Sequence, residues 1–175
     1  MIETKSLLLR PYVPADLACV HEYAAIPEFS RFEEWGPNSV EDTKRFIEEC
    51  IAGMVQAPPV GYQLAVVLRE RNRLIGGCNL KQKHADIREA FLGYAIGPEF
   101  QRRGYATEAA AALVDFGFNQ LRLVRIVAEC NAENLASRRV MEKLGMRLVS
   151  RRAKYKEVKG VMIDSCEYEL RAGAP

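Results

Sequence analysis

The spacing of hydrophobic positions changes several times along the chain, and each change marks an element. Leu7 to Tyr12 is an apolar run closed by Pro11 and Pro14, which predicts a short strand. From Ala15 onward Leu17, Val20 and Ala24 recur at three and four, which predicts a first helix. Phe29 to Pro37, with Phe32 and Trp35, breaks the pattern and reads as loop. Ser39 with Asp42 three positions later resembles an N-terminal cap, followed by a second helix carrying Phe46, Ile47, Cys50 and Ile51. The period then becomes strand-like. Tyr62 to Leu68 and Arg73 to Leu80 flank a hairpin at Arg69-Glu70-Arg71-Asn72, and Glu89 to Ile96 completes a three-strand meander. Gly104 to Asn119 is helical again, with Ala106, Ala109, Ala110, Leu113, Phe116 and Gly117 on one stripe. Val124 to Glu129 predicts a strand and Ala132 to Leu144 a helix ended by Gly145. Arg147 to Tyr155 and Met162 to Leu170 form a closing strand pair. The order β-α-α-β-β-β-α-β-α-β-β predicts an α+β domain with a mixed sheet of about seven strands and helices on its faces.

Composition narrows the class. With 175 residues, 49% hydrophobic and 27% charged, and no repeat or Pro/Gly/Ser linker, residues 1–175 read as a single soluble domain. The net charge of +2 is too near neutral for a uniformly basic DNA-binding face. It hides a polarity, because residues 1–60 hold 5 Lys/Arg against 10 Asp/Glu while residues 101–159 hold 13 against 6. The second half is the part suited to an anion and the first to a cation. Five cysteines without a Cys-x-x-Cys pair indicate neither a disulfide framework nor structural zinc. His21 and His84 are isolated, so no metal is expected. No stretch approaches a membrane span or a signal-peptide core, and a reducing cytoplasm is the expected compartment.

The most informative junction is Gly97-Pro98-Glu99-Phe100-Gln101-Arg102-Arg103-Gly104-Tyr105-Ala106-Thr107, where a strand passes through a short loop into a helix. A helix start offers unpaired N–H groups and a partial positive charge, and so can hold phosphate. Gly104 permits close approach, Ala106 keeps the next turn low, and Arg102 and Arg103 add charge. The string is neither the Gly-rich loop ending in Lys-Ser/Thr nor Gly-x-Gly-x-x-Gly. It is a candidate pyrophosphate cradle.

Other short strings stand beside it: Leu7-Leu8-Leu9-Arg10-Pro11, Trp35, Leu92-Gly93-Tyr94-Ala95-Ile96, Asn131-Ala132-Glu133-Asn134-Leu135-Ala136-Ser137 and Glu142-Lys143-Leu144-Gly145-Met146. Taken together, and spanning nearly the whole chain, they resemble the GNAT superfamily of acetyl-CoA-dependent N-acetyltransferases. Within it they resemble the Rim-type branch, which acetylates N-terminal residues of ribosomal proteins. The resemblance implies a sandwich-like, mostly antiparallel sheet whose fourth and fifth strands splay apart. It implies that acetyl-CoA is the co-substrate, its pantetheine pairing with the backbone near Tyr94, Ala95 and Ile96. The pyrophosphate is implied on Gln101, Arg102, Arg103, Gly104, Tyr105, Ala106 and Thr107, with Asn134 beside the pantetheine. It also implies that the loop holding Trp35 covers the acceptor, and it leaves a homodimer open.

Asn134, Ser137 and Met141 fall on one helical face by spacing. Many relatives place a proton-donating tyrosine where this chain has Met141; in the Rim-type branch Ser137 resembles the donor. A thiol with a pKa of about 8.5 leaves well enough that a hydrogen bond from Ser137 suffices. The base is harder to place, because Phe91 stands where relatives often carry glutamate. Glu89, on the same strand face, and Glu129, on the fifth strand, are the candidates, with water as the fallback. An α-amino group titrates near 7.7–8.0, whereas lysine at about 10.4 costs roughly 3 kcal/mol more to deprotonate. N-terminal acceptors therefore ask less of the protein. The expected activity is acetyl transfer to a peptide N-terminus by direct attack in a ternary complex. The alternatives are a small-molecule amine (polyamine, amino acid or antibiotic) as acceptor, or a non-catalytic CoA-binding module. Arg151 to Lys156 interleaves basic and aromatic residues, and reads as a charged edge strand rather than an RNA contact.

Overall fold

A computed structural model describes residues 1–55, 61–82 and 88–173 of the chain. His84 lies outside the described residues. The elements in chain order are β1 (Ile2–Glu3), β2 (Leu7–Pro11), α1 (Leu17–Ala24), α2 (Val40–Val55), β3 (Gly61–Leu68), β4 (Arg73–Gln82) and β5 (Glu89–Ile96). They continue with α3 (Tyr105–Asn119), β6 (Arg125–Asn131), α4 (Leu135–Lys143), β7 (Arg147–Val158) and β8 (Val161–Arg171). The strands form one sheet in the order β1-β2-β3-β4-β5-β6-β8-β7. Every neighbouring pair is antiparallel except β5 and β6.

The sheet has eight strands rather than seven because Ile2–Glu3 adds a two-residue edge, too short to show a period, paired Ile2 to Leu9 and Glu3 to Leu8. The strands expected fourth and fifth are therefore β5 and β6. The helix expected over 132–144 is shorter. The Asn131 side chain accepts the Glu133 amide at 2.9 Å, and Asn134 caps α4 by accepting the Ser137 amide at 3.1 Å. Two asparagines thus hold residues 131–134 in a turn, and Gly145 (φ +77°) ends the helix as expected. The Ser39–Asp42 cap of α2 forms reciprocally, with the Asp42 amide donating to Ser39 Oγ (3.1 Å) and the Ser39 amide to Asp42 Oδ2 (3.1 Å).

Apolar side chains alternate between two cores. Leu64, Val66, Leu80, Leu92, Ile96, Leu113, Ile126, Met141 and Tyr168 pack on the face covered by α3 and α4. Tyr12, Val20, Tyr23, Ile47, Ala65, Val67 and Leu74 pack under α1 and α2. Strand β3 is central and buried on both faces from Leu64 onward, which explains its unbroken apolar run. The α1–α2 pair does not extend over β6, β8 and β7, and their uncovered face carries charge instead.

There Arg125 donates to Glu169 (2.7 Å) and Glu89 (3.1 Å) and lies 3.5 Å from Glu167, while Arg152 donates to Glu167 (2.7 Å) and stands 4.0 Å from Glu129. Glu169 is buried, and the Arg171 and Arg125 guanidinium groups hold its carboxyl down to about 2. A carboxylate whose folded pKa is depressed stabilises the protein above its unfolded pKa, and that stability is lost as pH falls toward the folded value. Glu169→Gln is therefore expected to lower the urea midpoint near neutral pH. Its effect should shrink toward about pH 3, which urea titrations at both pH values would show.

Candidate active site

β5 and β6 pair over three positions only: Glu89 with Arg125, Ala90 with Ile126 and Phe91 with Val127. Beyond Phe91 the strands part, while β5 stays bonded to β4 on its other edge, Tyr94 opposite Cys78 and Ile96 opposite Gly76. The edge of β5 facing β6 is therefore open from Leu92 to Ile96. Parallel strands diverge where side chains or a ligand must pass between them, and at such crevices in mixed sheets ligands bind.

At the open end, β5 runs through a turn at Pro98–Phe100 into α3. The Gln101 side-chain amide donates to Ile96 O (2.8 Å) and ties the loop to the strand. Arg102 (φ +61°) and Gly104 (φ +88°) both take left-handed backbone, which turns successive amides outward. The first backbone hydrogen bond of the helix runs from the Glu108 amide to Gly104 O (2.9 Å), so the Tyr105, Ala106 and Thr107 amides have no backbone acceptor. A Cβ built on Gly104 would have nothing within 4 Å, so the space above the helix end is open. Glu108, the acid of the first turn, accepts Thr4 Oγ1 (2.6 Å) and the Ser6 amide (2.7 Å). Its charge is engaged by the β1–β2 turn instead of opposing an anion at the helix end.

Two cavities with a shared wall lie in and beside the split. The smaller, about 210 Å³, lies between Leu92–Tyr94 of β5 and Ala128–Asn131 of β6, with Asn134 and Ser137 of α4 on one side. The larger, about 600 Å³, lies on the α1–α2 side of β3, β4 and β5. Glu33, Trp35, Gly93 and Tyr94 line both. Helix α2 presents Asp42, Arg45, Phe46 and Glu49 to the larger cavity, the three- and four-residue spacing of one helical face. Its floor includes Gly77 and Gly93, where a Cβ would collide with the Tyr12 hydroxyl and the Asn79 amide respectively. The smaller cavity is roofed by the β7–β8 hairpin through Lys156, Val158 and Ile163, the hairpin being turned by Lys159 (φ +51°) and Gly160 (φ +82°). Lys159 Nζ donates to Ser30 O (2.6 Å) and Ser30 Oγ (3.1 Å), and Lys156 Nζ lies 2.9 Å from Glu34. These contacts fasten the hairpin to the α1–α2 loop.

The structure gathers part of the residues read from sequence. Tyr94, Ser137, Asn134, Glu129 and Trp35 all line the smaller cavity. Tyr94 Oη donates to Ser137 O (2.9 Å) and lies 3.0 Å from Ser137 Oγ, bridging β5 and α4; burial pushes its phenol well above the ordinary tyrosine range. Met141 does not join Ser137 at the cavity but is fully buried in the core. Glu89 is not brought there either. It sits at the closed base of the split, ion-paired with Arg125, because the strands diverge only after Phe91. Phe91 itself is exposed. Arg138, on α4, donates to Tyr168 Oη (3.2 Å) and Ala132 O (3.4 Å). The cysteine nearest the cavity, Cys130, has its thiol pushed up to about 12, chiefly by burial, and stays protonated at neutral pH. Among the described residues no cluster suited to a metal is present, and no helix is long and apolar enough to cross a membrane.

Sequence reasoning missed Glu33, and with it the wall shared by the two cavities beneath the α1–α2 loop. The acidic bias of the first 60 residues was the available signal, but it does not say which carboxylate turns inward.

Comparison with known proteins gives a consistent picture. The family described as "Acetyltransferase (GNAT) domain" matches residues 6–147. The chain is 34% identical over 146 residues to the protein named Uncharacterized N-acetyltransferase YnaD of Bacillus subtilis (strain 168), covering 83% of this chain and 82% of that one. The crystal structure of an acetyltransferase (GNAT family) from Bacillus anthracis superposes with a TM-score of 0.87 at 29% identity, covering 97% of both chains. A structure of RimL, named a ribosomal L7/L12 alpha-N-protein acetyltransferase and solved with coenzyme A, has a TM-score of 0.85 at 17% identity over 96% of this chain and 95% of that one, and so is alike in fold.

Proposed function

The chain belongs to the GNAT acetyltransferase family, and from that premise we propose that it moves the acetyl group of acetyl-CoA onto a primary amine, with a peptide's N-terminal α-amino group as the acceptor. The observation that carries this reading is the β5–β6 split, with a phosphate-sized helix end at its mouth and two cavities with a shared wall in and beside it. The co-substrate fits this chain's own residues. The Arg102–Thr107 amides and the Arg102 and Arg103 side chains suit a pyrophosphate, and the free edge from Leu92 to Ile96 suits the amide-bearing pantetheine. Asn134 and Ser137 stand across the cleft from that edge.

Ser137 and Tyr94 serve the leaving group. Tyr94 directs its proton to Ser137 O, which leaves the Ser137 hydroxyl proton available for a departing thiolate. A β5 amide near Tyr94 or Ala95 serves the oxyanion. Burial pushes the Cys130 thiol up to about 12, which makes it a poor nucleophile near neutral pH and supports direct attack in a ternary complex. Asp42 is paired with Arg45 at 2.6 Å, and Glu49 and Glu33 give the larger chamber an acidic character suited to an ammonium, with Trp35 and Phe46 as apolar wall. A small-molecule amine is the second reading, favoured by a chamber of about 600 Å³, which a compact ligand fills.

The test is thiol release from acetyl-CoA by the purified protein with peptides of free N-terminus, polyamines and aminoglycosides. Preference for peptides supports the first reading and preference for small amines the second. Tight CoA binding with no turnover on any acceptor would refute catalysis. Ser137→Ala is expected to lower kcat about tenfold, the worth of roughly one hydrogen bond, with a smaller change in the acetyl-CoA KM. Steady-state kinetics check that split.

A further inference from the structure

Of the two carboxylates nominated from sequence, Glu89 is held by Arg125 at 3.1 Å at the closed end of the split, while Glu129 lines the smaller cavity alone, 4.0 Å from an Arg152 that donates to Glu167. We propose that Glu33, in the loop between α1 and α2, is the catalytic base that takes the proton from the acceptor's ammonium group. The proposal rests on the acetyl-transfer reading above.

Glu33 is the one carboxylate among the described residues that lines both cavities. An amine seated in the larger chamber reaches an acetyl group at the split only by passing the shared wall of Glu33, Trp35, Gly93 and Tyr94. The Glu33 carboxylate makes no hydrogen bond or ion pair within the described residues, so its lone pairs are free for an ammonium. Burial raises its pKa above the ordinary glutamate range, while Lys156 and Lys159 on the hairpin pull it back and Glu34 pushes it up. The other charged or titratable groups that share its cavities are Tyr94 on β5, Glu129 and Cys130 on β6, Tyr12 after β2, Tyr23 on α1, and Asp42, Arg45 and Glu49 on α2. A carboxylate made more basic by burial is better suited to take a proton than an ordinary solvent-exposed one.

Glu33 removes one proton from the ammonium, and the freed nitrogen pair forms the C–N bond at the acetyl carbon. The C–S bond breaks with its pair on sulfur, where Ser137 donates a hydrogen bond. The second N–H proton, lost as the amide forms, ends on that sulfur, and Glu33 returns its own proton to solvent. The lysines that set the strength of this base also fasten the hairpin, so roof and base are joined in one arrangement.

The test measures kcat/KM by thiol release from about pH 5 to about pH 9, with a short peptide of free N-terminus and with spermidine as acceptors. Glu33→Gln is expected to lose about 100-fold or more, and Glu33→Asp to keep part of the rate. Lys156→Gln removes a cation and frees Glu34, so the acidic limb should move to higher pH. A limb set by the amine in solution would stay where it is. Glu33→Gln at the wild-type rate, or an acidic limb indifferent to Lys156→Gln, overturns the assignment of the base and leaves acetyl transfer standing. A wild-type protein that binds CoA and acetylates no amine overturns the transfer reading, and this proposal with it.

Discussion

Replacing Gly104 with glutamate is expected to weaken CoA binding about a thousandfold, roughly 4 kcal/mol, in a calorimetric titration, while the urea midpoint moves little. Three effects act together. The position has φ +88°, where a side chain costs about 1 kcal/mol of backbone strain. A Cβ there would meet no protein atom within 4 Å, so the new side chain enters open space rather than displacing the core. The carboxylate also puts a negative charge at the start of α3, among the amides of Tyr105, Ala106 and Thr107 that are proposed to meet phosphate. Gly104→Ala separates the contributions, because it carries the strain and neither the charge nor the reach. It should cost tenfold or less. If the glutamate variant binds CoA as the wild type does, this loop is not the phosphate site.

Gly76→Val is expected to be the most damaging single change to the fold. Strand β4 bulges here, with Val66 facing Gly76 and Val67 facing Leu74, and it presses against β5. A Cβ at Gly76 would run into the Ala95 carbonyl and come within 2.9 Å of Ile96 Cδ1 and 3.0 Å of Ile96 Cα. The Ala95 carbonyl and Ile96 Cα are backbone and cannot swing aside, so the strands must separate. Overpacking of this kind costs about 3 kcal/mol or more, a large part of the ~5–15 kcal/mol that holds a domain together. The damage falls on the stretch of β5 proposed to carry pantetheine, so surviving folded protein should also bind CoA weakly. Gly53, in α2, is the counterpart: nothing lies within 4 Å of its Cβ position, and Gly53→Ala should raise stability by up to ~1 kcal/mol. Urea midpoints of the two variants check both signs.

Much of the fold was legible because each element carried a local signature: the Ser39–Asp42 cap, the continuous run of β3, the alanine stripe of α3, Gly145 after α4. The candidate cradle was legible for the same reason, being built from consecutive residues whose open amides are set by the local backbone. What resisted was anything made by elements far apart in sequence. Glu89 and Glu129 looked equivalent as strand carboxylates, yet the divergence of β5 and β6 leaves one at the closed base and the other at the cavity. Met141 shares a helical face with Ser137 by spacing, but the edge of that face turns into the core. Glu33 had no periodic context, and its surroundings come from β5 and a hairpin more than 120 residues later, as the Lys159–Ser30 contact with its separation of 129 positions shows.

That contact bears on how the molecule comes into being. β8 lies between β6 and β7 in the sheet, so β7 joins the sheet only through a strand made after it. During synthesis the helix end at Gly104 and the outer face of β5 can form early, while the roof over the cleft, with Lys156 and Lys159, waits for residues 161–171. The nascent chain can therefore assemble a place for phosphate well before it has an enclosed space in which an acceptor could meet an acetyl group, and reactivity is the last property the growing polypeptide acquires.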